Sequence, residues 1–183
     1  MVETRVESIR VSLVTQNRAV ILKDINAERY LAVWIDAYVA EAIAMELQQV
    51  VAPRPMTHDL LRNVIGELGG SVTHVLINDL HEGIYFARVV LDVAGRHVEV
   101  DSRPSDAIAL AVRVRVPIFI EDEVMAKEAV VLESTPAPSS LDRPRDDLGL
   151  VAAGEEATGE GMTVFRDFIN SLDFDDLGKD KES

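Results

Sequence analysis

Three β-rich runs, SVTHVLINDL, GIYFARVVLDV and RHVEVD, follow one another between residues 71 and 101, with only HEG and AG as turns between them. Links so short leave no room for a crossover, so the runs must pair as an antiparallel meander. Any fold for this chain has to be built outward from that unit.

Upstream, Ile9, Val11 and Leu13 alternate with Arg10 and Ser12, the pattern of a half-buried strand. AVILKD and RYLAVWID flank the polar turn DINAE and read as a hairpin. Asp36 then suits a helix N-cap, and Val39, Ile43, Leu47 and Val50 form one helical stripe that Pro53 and Pro55 end. A second helix is predicted from Thr57, with Leu61, Val64, Ile65 and Leu68 inward and the Gly69–Gly70 pair as its stop. After the meander, Ile108, Ala111 and Val112 share a helix face, VPIFI reads as a short strand, and a small acidic helix starts near Glu121. Strands, two helices, a meander, then helix, strand and helix make an α+β domain. The expected architecture is a mixed, mainly antiparallel sheet with packed helices.

Composition sets the limits of this domain. The pattern fills residues 1–133, enough for one core. STPAPSSLDRPRDD and AAGEEATGEG then mark residues 134–162 as a flexible acidic linker rich in Pro, Ser and Gly. Within 163–183, Phe165, Phe168, Ile169 and Leu172 predict a short amphipathic tail helix with a frayed acidic end. That helix would dock on its own domain or engage a protein partner. The net charge of −14 divides equally, −7 on residues 1–133 and −7 on the far shorter remainder. Such a balance opposes general affinity for phosphate backbones, though not a local basic groove or carboxylates that hold a metal. There is no cysteine, which excludes disulfides and thiolate sites. Glu3 and Glu7 interrupt any signal-peptide-like run, and no apolar stretch is long enough to span a bilayer, so a soluble, cytoplasmic protein is expected.

Chemistry concentrates in VDSRPSDAIALAVR, residues 100–113. Glu99 and Asp101, two apart on a strand, share one face, and Asp106 opens the helix that follows. Carboxylates so placed could converge on a hard cation, with Asp79 a further candidate ligand. Arg103 could hold a phosphate by a bidentate contact, aided by Ser105 and the helix amides. His58, beside Asp59 at a helix start, is a candidate base. A second reading is structural: Ser102 or Ser105 caps the helix, Pro104 fits its first turn, and Asp106 complements the dipole or pairs with Arg103. His74, His81 and His97 stand singly in strands or a turn.

VDSRPSDAIALAVR, with YLAVWIDAYVAEAIA, RPMTHDLL and INDLHEGIYFARVVL, resembles the bifunctional nuclease family over residues 1 to about 133. FRDFINSLDFDDLG is similar to the phenylalanine-rich ends of bacterial members. The resemblance implies a wedge-like domain that self-associates as a dimer or higher homo-oligomer, and a nuclease activity covering DNA and RNA. The family's motifs fall on Asp36, Glu41, His58, Asp59, Asp79, Gly83 and residues 101–106.

The expectation is therefore a metal-assisted nuclease that hydrolyses phosphodiester bonds with Mg²⁺ or Mn²⁺. Asp101, Asp106, Arg103 and His58 are its candidate catalytic residues, and Asp101, Asp106, Glu99 and Asp79 its candidate ligands. Arg103 and Ser105 are its candidate substrate-binding residues. The alternative is a non-catalytic, oligomeric binding or regulatory module acting through its acidic tail helix.

Overall fold

The computed structural model describes residues 1–12 and 17–131. Leu13, the linker expected at 134–162 and the tail helix expected at 163–183 lie outside the described residues.

The strands β1 (Val2–Val11), β2 (Arg18–Asp24) and β3 (Arg29–Ile35) are followed by helices α1 (Ala37–Leu47) and α2 (Thr57–Glu67). The meander β4 (Gly70–His81), β5 (Ile84–Val93) and β6 (Arg96–Ser102) leads into α3 (Pro104–Val114), β7 (Ile118–Ile120), α4 (Asp122–Glu128) and β8 (Val130–Val131). All eight strands form one sheet in the order β6-β5-β4-β7-β1-β2-β3-β8. The α+β expectation holds, and the sheet is mainly antiparallel. Among the described residues its one parallel contact, β4 with β7, is the join between the meander and the N-terminal strands. No described helix is long and apolar enough to cross a membrane.

The meander turns show why its register is firm. Glu82 and Gly83 both have positive φ, as do Ala94 and Gly95. Two successive left-handed residues make the primed turn whose twist matches that of paired strands. Strand alternation then sends Ala87, Val89 and Ile77 into the core. That core is centred on α3, whose Ala107 to Ala111 are all fully buried, with Val39 and Ile43 of α1 packed nearby.

Three helix expectations need correction. α1 stops at Leu47, well before Pro53, and of its expected stripe Val39 and Ile43 are buried whereas Leu47 and Val50 are exposed. Leu61, Val64 and Leu68 of α2 face solvent together with Leu60, and of the predicted inward set only Ile65 packs on the core. The buried residue of α2 is instead His58, because polar contacts to α3 set the helix's rotation. Neither Ser102 nor Ser105 caps α3. Arg103 occupies the N-cap with no side-chain cap bond, Pro104 takes the first turn, and Ser102 Oγ donates to the Arg103 carbonyl at 2.9 Å. Ser105, in the first turn of α3, is buried.

Candidate functional site

Side-chain contacts join the first turns of α1, α2 and α3, and each turn brings one aspartate. Asp36 caps α1 by accepting from the Val39 amide at 2.9 Å. Asp59, at the third position of α2, accepts from the Met56 amide at 2.9 Å. Asp106, at the third position of α3, accepts from Arg103 Nε at 2.7 Å and Nη2 at 3.1 Å. A carboxylate at each helix start complements the positive end of its dipole.

Arg103 joins two of these turns. Its Nη1 lies 3.7 Å from Asp36 Oδ2, so one guanidinium bridges the acids of α1 and α3. His58 Nε2, at 3.3 Å from Asp106 Oδ1, extends the chain of contacts to α2. The Arg103 side chain is nonetheless 66% exposed, against 31% for Asp106 and 9% for His58. A guanidinium has five N–H bonds, and Asp106 takes two from the Nε–Nη2 edge. Asp106 therefore clamps Arg103 while leaving N–H bonds that a phosphate can accept from.

Electrostatics fit this arrangement. Burial pushes the Asp106 carboxyl up, but the bonds from Arg103 and His58 more than offset it and hold it below the ordinary carboxylate value. Burial likewise raises Asp59, and the Met56 amide together with the Arg113 charge outweighs it, for a net lowering. Both aspartates are thus anions at neutral pH.

Sequence reasoning missed Arg113. Its side chain is only 2% exposed, and it donates from Nε to Asp59 Oδ1 at 3.0 Å, from Nη1 to the Ala109 carbonyl at 2.8 Å and from Nη2 to the Ala42 carbonyl at 3.0 Å. One buried cation thus ties α1, α2 and α3 together and fixes the start of α2, from which His58 reaches Asp106. The available signal was a charged residue within the otherwise apolar run Ala107–Val114.

The expected metal ligands do not assemble. Asp101 pairs in register with Arg88, and Glu99 with Val90, on the sheet face opposite the Val89–Ala87 side that packs against α3. Glu99 is held there in an ion pair with Arg88. Asp79 accepts from the Leu80 amide at 2.7 Å and lines a separate open pocket of about 500 Å³ with Asn78, Arg88 and Lys127. Among the described residues no three His, Asp or Glu side chains come together to hold a metal. The two carboxylates that do share a counter-charge, Asp36 and Asp106, already have Arg103 as that charge. The donor set does not fit a preformed Mg²⁺ or Mn²⁺ site. Glu41 is exposed on α1 beside Arg18, and Gly83 serves its turn.

The chain's likeness to known proteins is broad. The model of the Bifunctional nuclease domain family matches residues 20–133. An uncharacterized protein of Mycobacterium tuberculosis is 36% identical over 177 residues, which is 97% of this chain and 98% of that protein. Bifunctional nuclease 1 of Oryza sativa subsp. indica is 29% identical over 114 residues, 55% of this chain and 34% of the rice protein. Bifunctional nuclease 1 of Arabidopsis thaliana is 31% identical over 102 residues, 51% of this chain and 31% of its own length.

Proposed function

Because this chain belongs to the bifunctional nuclease domain family, we propose that it hydrolyses phosphodiester bonds in DNA or RNA, with Arg103 as the group that takes the phosphate. The observation that carries this reading is the placement of Arg103. It is a largely exposed guanidinium between the first turns of α1 and α3, clamped by Asp106, which His58 of α2 backs in turn.

Each residue then has a role at a stated atom. Arg103 donates from its outer N–H bonds to the phosphate oxygens and helps to neutralise charge as it builds in the transition state. Asp106 sets the plane of that guanidinium through its Nε and Nη2 bonds. His58, buried and directed at Asp106, acts as a positioning group, in an arrangement different from that of a solvent-facing base. Arg113 and Asp59 hold the turn that carries His58. Asp101 and Glu99 lie on the other sheet face and have no part in this proposal. Mg²⁺ or Mn²⁺ belongs to it only as an ion carried in on the phosphate, because Arg103 already occupies the place between Asp36 and Asp106.

The test is cleavage of labelled DNA and RNA by the full chain, run with added Mg²⁺ or Mn²⁺ and again with EDTA. Arg103→Ala protein from the same purification is the control for trace contaminants. The reading expects cleavage by the wild type that Arg103→Ala lacks. Equal cleavage by both proteins would sink it.

A further inference from the structure

The end of α1 turns sharply. Gln49 takes a φ of 56°, its amide bonds the Glu46 carbonyl at 3.0 Å, and the Val50 amide bonds the Met45 carbonyl at 2.8 Å. This is the Schellman stop, with glutamine where glycine is usual. The loop that follows stands out in solvent, with Val50 51% and Val51 90% exposed. Between it and α2 lies an open pocket of about 330 Å³, within the range of small-ligand sites. Asp59, Arg62 and Asn63 wall the pocket from α2, because spacings of three and four residues put them on one helix face.

The lining selects among ligands. Val50, Val51 and Pro53 supply apolar surface. Arg54 and Arg62 are exposed, and among the described residues neither is held in an ion pair. Such a guanidinium either takes a phosphate edge-on or stacks flat on a base. Glu46 decides between the two. It lines the same pocket, half-buried, and a carboxylate repels a phosphate but accepts from the amino group of a base. Asn63 Oδ1 lies 3.4 Å from Arg62 Nε, which leaves the amide N–H bonds of Asn63 free to donate to a ligand. Apolar walls, planar cations and both kinds of hydrogen-bonding group are the requirements of a nucleobase.

The pocket and Arg103 are linked through the first turn of α2. Asp59 walls the pocket, while its neighbour His58 contacts Asp106, the clamp on Arg103. We infer that this pocket takes an unpaired nucleobase of the strand whose phosphodiester Arg103 holds, so that the substrate is single-stranded. The assignment rests on the phosphate role proposed for Arg103. A base within a duplex is stacked and paired, and neither its face nor its pairing edge is free to enter a pocket. The net charge of −14 favours the same substrate. General attraction to phosphates is weak in such a chain, so contacts to bases must supply part of the affinity.

The experiment uses the full chain and an uncleavable phosphorothioate oligonucleotide, with binding read by fluorescence anisotropy. The labelled strand is offered alone, in a duplex, and with abasic sites in place of its bases. Wild type should bind the single strand about tenfold or more tightly than the duplex or the abasic strand. Asn63→Ala changes an exposed side chain and should keep the wild-type melting temperature. It should bind the single strand about tenfold more weakly, and the duplex and abasic strand as wild type does. Its log–log salt slope should be unchanged, because the lost contact is to a base. Equal affinity of wild type for all three ligands would overturn the base pocket, as would an Asn63→Ala protein that binds like wild type or loses salt slope. If Arg103→Ala binds every ligand as wild type does while Asn63→Ala loses the strand preference, the proposed function fails and the pocket stands as a base site. No binding of any ligand by wild type would overturn both.

Discussion

His58 Nε2 sits 3.3 Å from Asp106 Oδ1, across 48 residues of sequence, and the same carboxylate takes two bonds from Arg103. The pair makes Asp106 a clamp with a fixed plane. Asp106→Asn keeps the shape and removes the charge, so Arg103 loses both its orientation and its competing anion. Turnover at saturating oligonucleotide should fall about 100-fold, the scale expected when a catalytic group is misplaced by about an ångström. Affinity should hold or rise. Steady-state kinetics separate the two, and unchanged turnover would remove Asp106 from the site.

Arg113 and Arg103 should differ sharply in stability. Arg113→Ala leaves Asp59 without its hydrogen-bonded cation and takes one donor from each of two helix carbonyls, which costs about 3–5 kcal/mol for a buried pair broken on one side. Arg103→Ala removes an exposed ion pair and should cost about 1 kcal/mol or less. Urea unfolding of the two variants measures both, and similar midpoints would contradict the assignment of one to structure and the other to function.

Acid should weaken the fold through the same aspartates. Asp106 and Asp59 are held below their ordinary value, and so is Asp24, where burial is outweighed by the Asn26 amide and Arg29. A carboxyl lowered in the folded state contributes stability that is fully present above its unfolded pKa, about 4, and is lost as pH falls through the folded value. Melting temperature should therefore decline below about pH 4, and less steeply for Asp59→Asn than for wild type. Parallel curves for the two proteins would show that Asp59 carries no such linkage.

The rotation of α2 gives a further check. Leu68 would be a core residue by its spacing, yet it is 77% exposed. Leu68→Ser should change stability by no more than about 0.5 kcal/mol, the usual range for a surface site. A loss of 2 kcal/mol or more, as for a buried leucine, would mean that α2 packs the way its apolar pattern suggests.

Much of this was legible because it is local. The primed turns at Glu82–Gly83 and Ala94–Gly95, the Asp36 cap and the left-handed stop at Gly69 all follow from a few neighbouring residues. The parallel join of β7 to β4 was not, since three residues of apolar strand carry no signal of their neighbour. Periodicity also misplaced α2, because it weighs apolar burial and is blind to the contact of His58 with Asp106 and the bond from Arg113 to Asp59, which together set the helix's rotation. At the site, the Arg103–Asp106 pair was readable from its three-residue spacing. The separation of Asp101 from Asp106 was hidden in which sheet face a strand-end residue takes, and that depends on the pairing of β6 with β5.

The central claim is that Arg103 binds the phosphodiester, and affinity for an uncleavable phosphorothioate oligonucleotide tests it most directly. Titrated across salt concentrations, Arg103→Ala should bind about tenfold more weakly than wild type and show a salt slope smaller by about one, the signature of one lost phosphate contact. Equal affinity and equal slope for the two proteins would place the phosphate elsewhere.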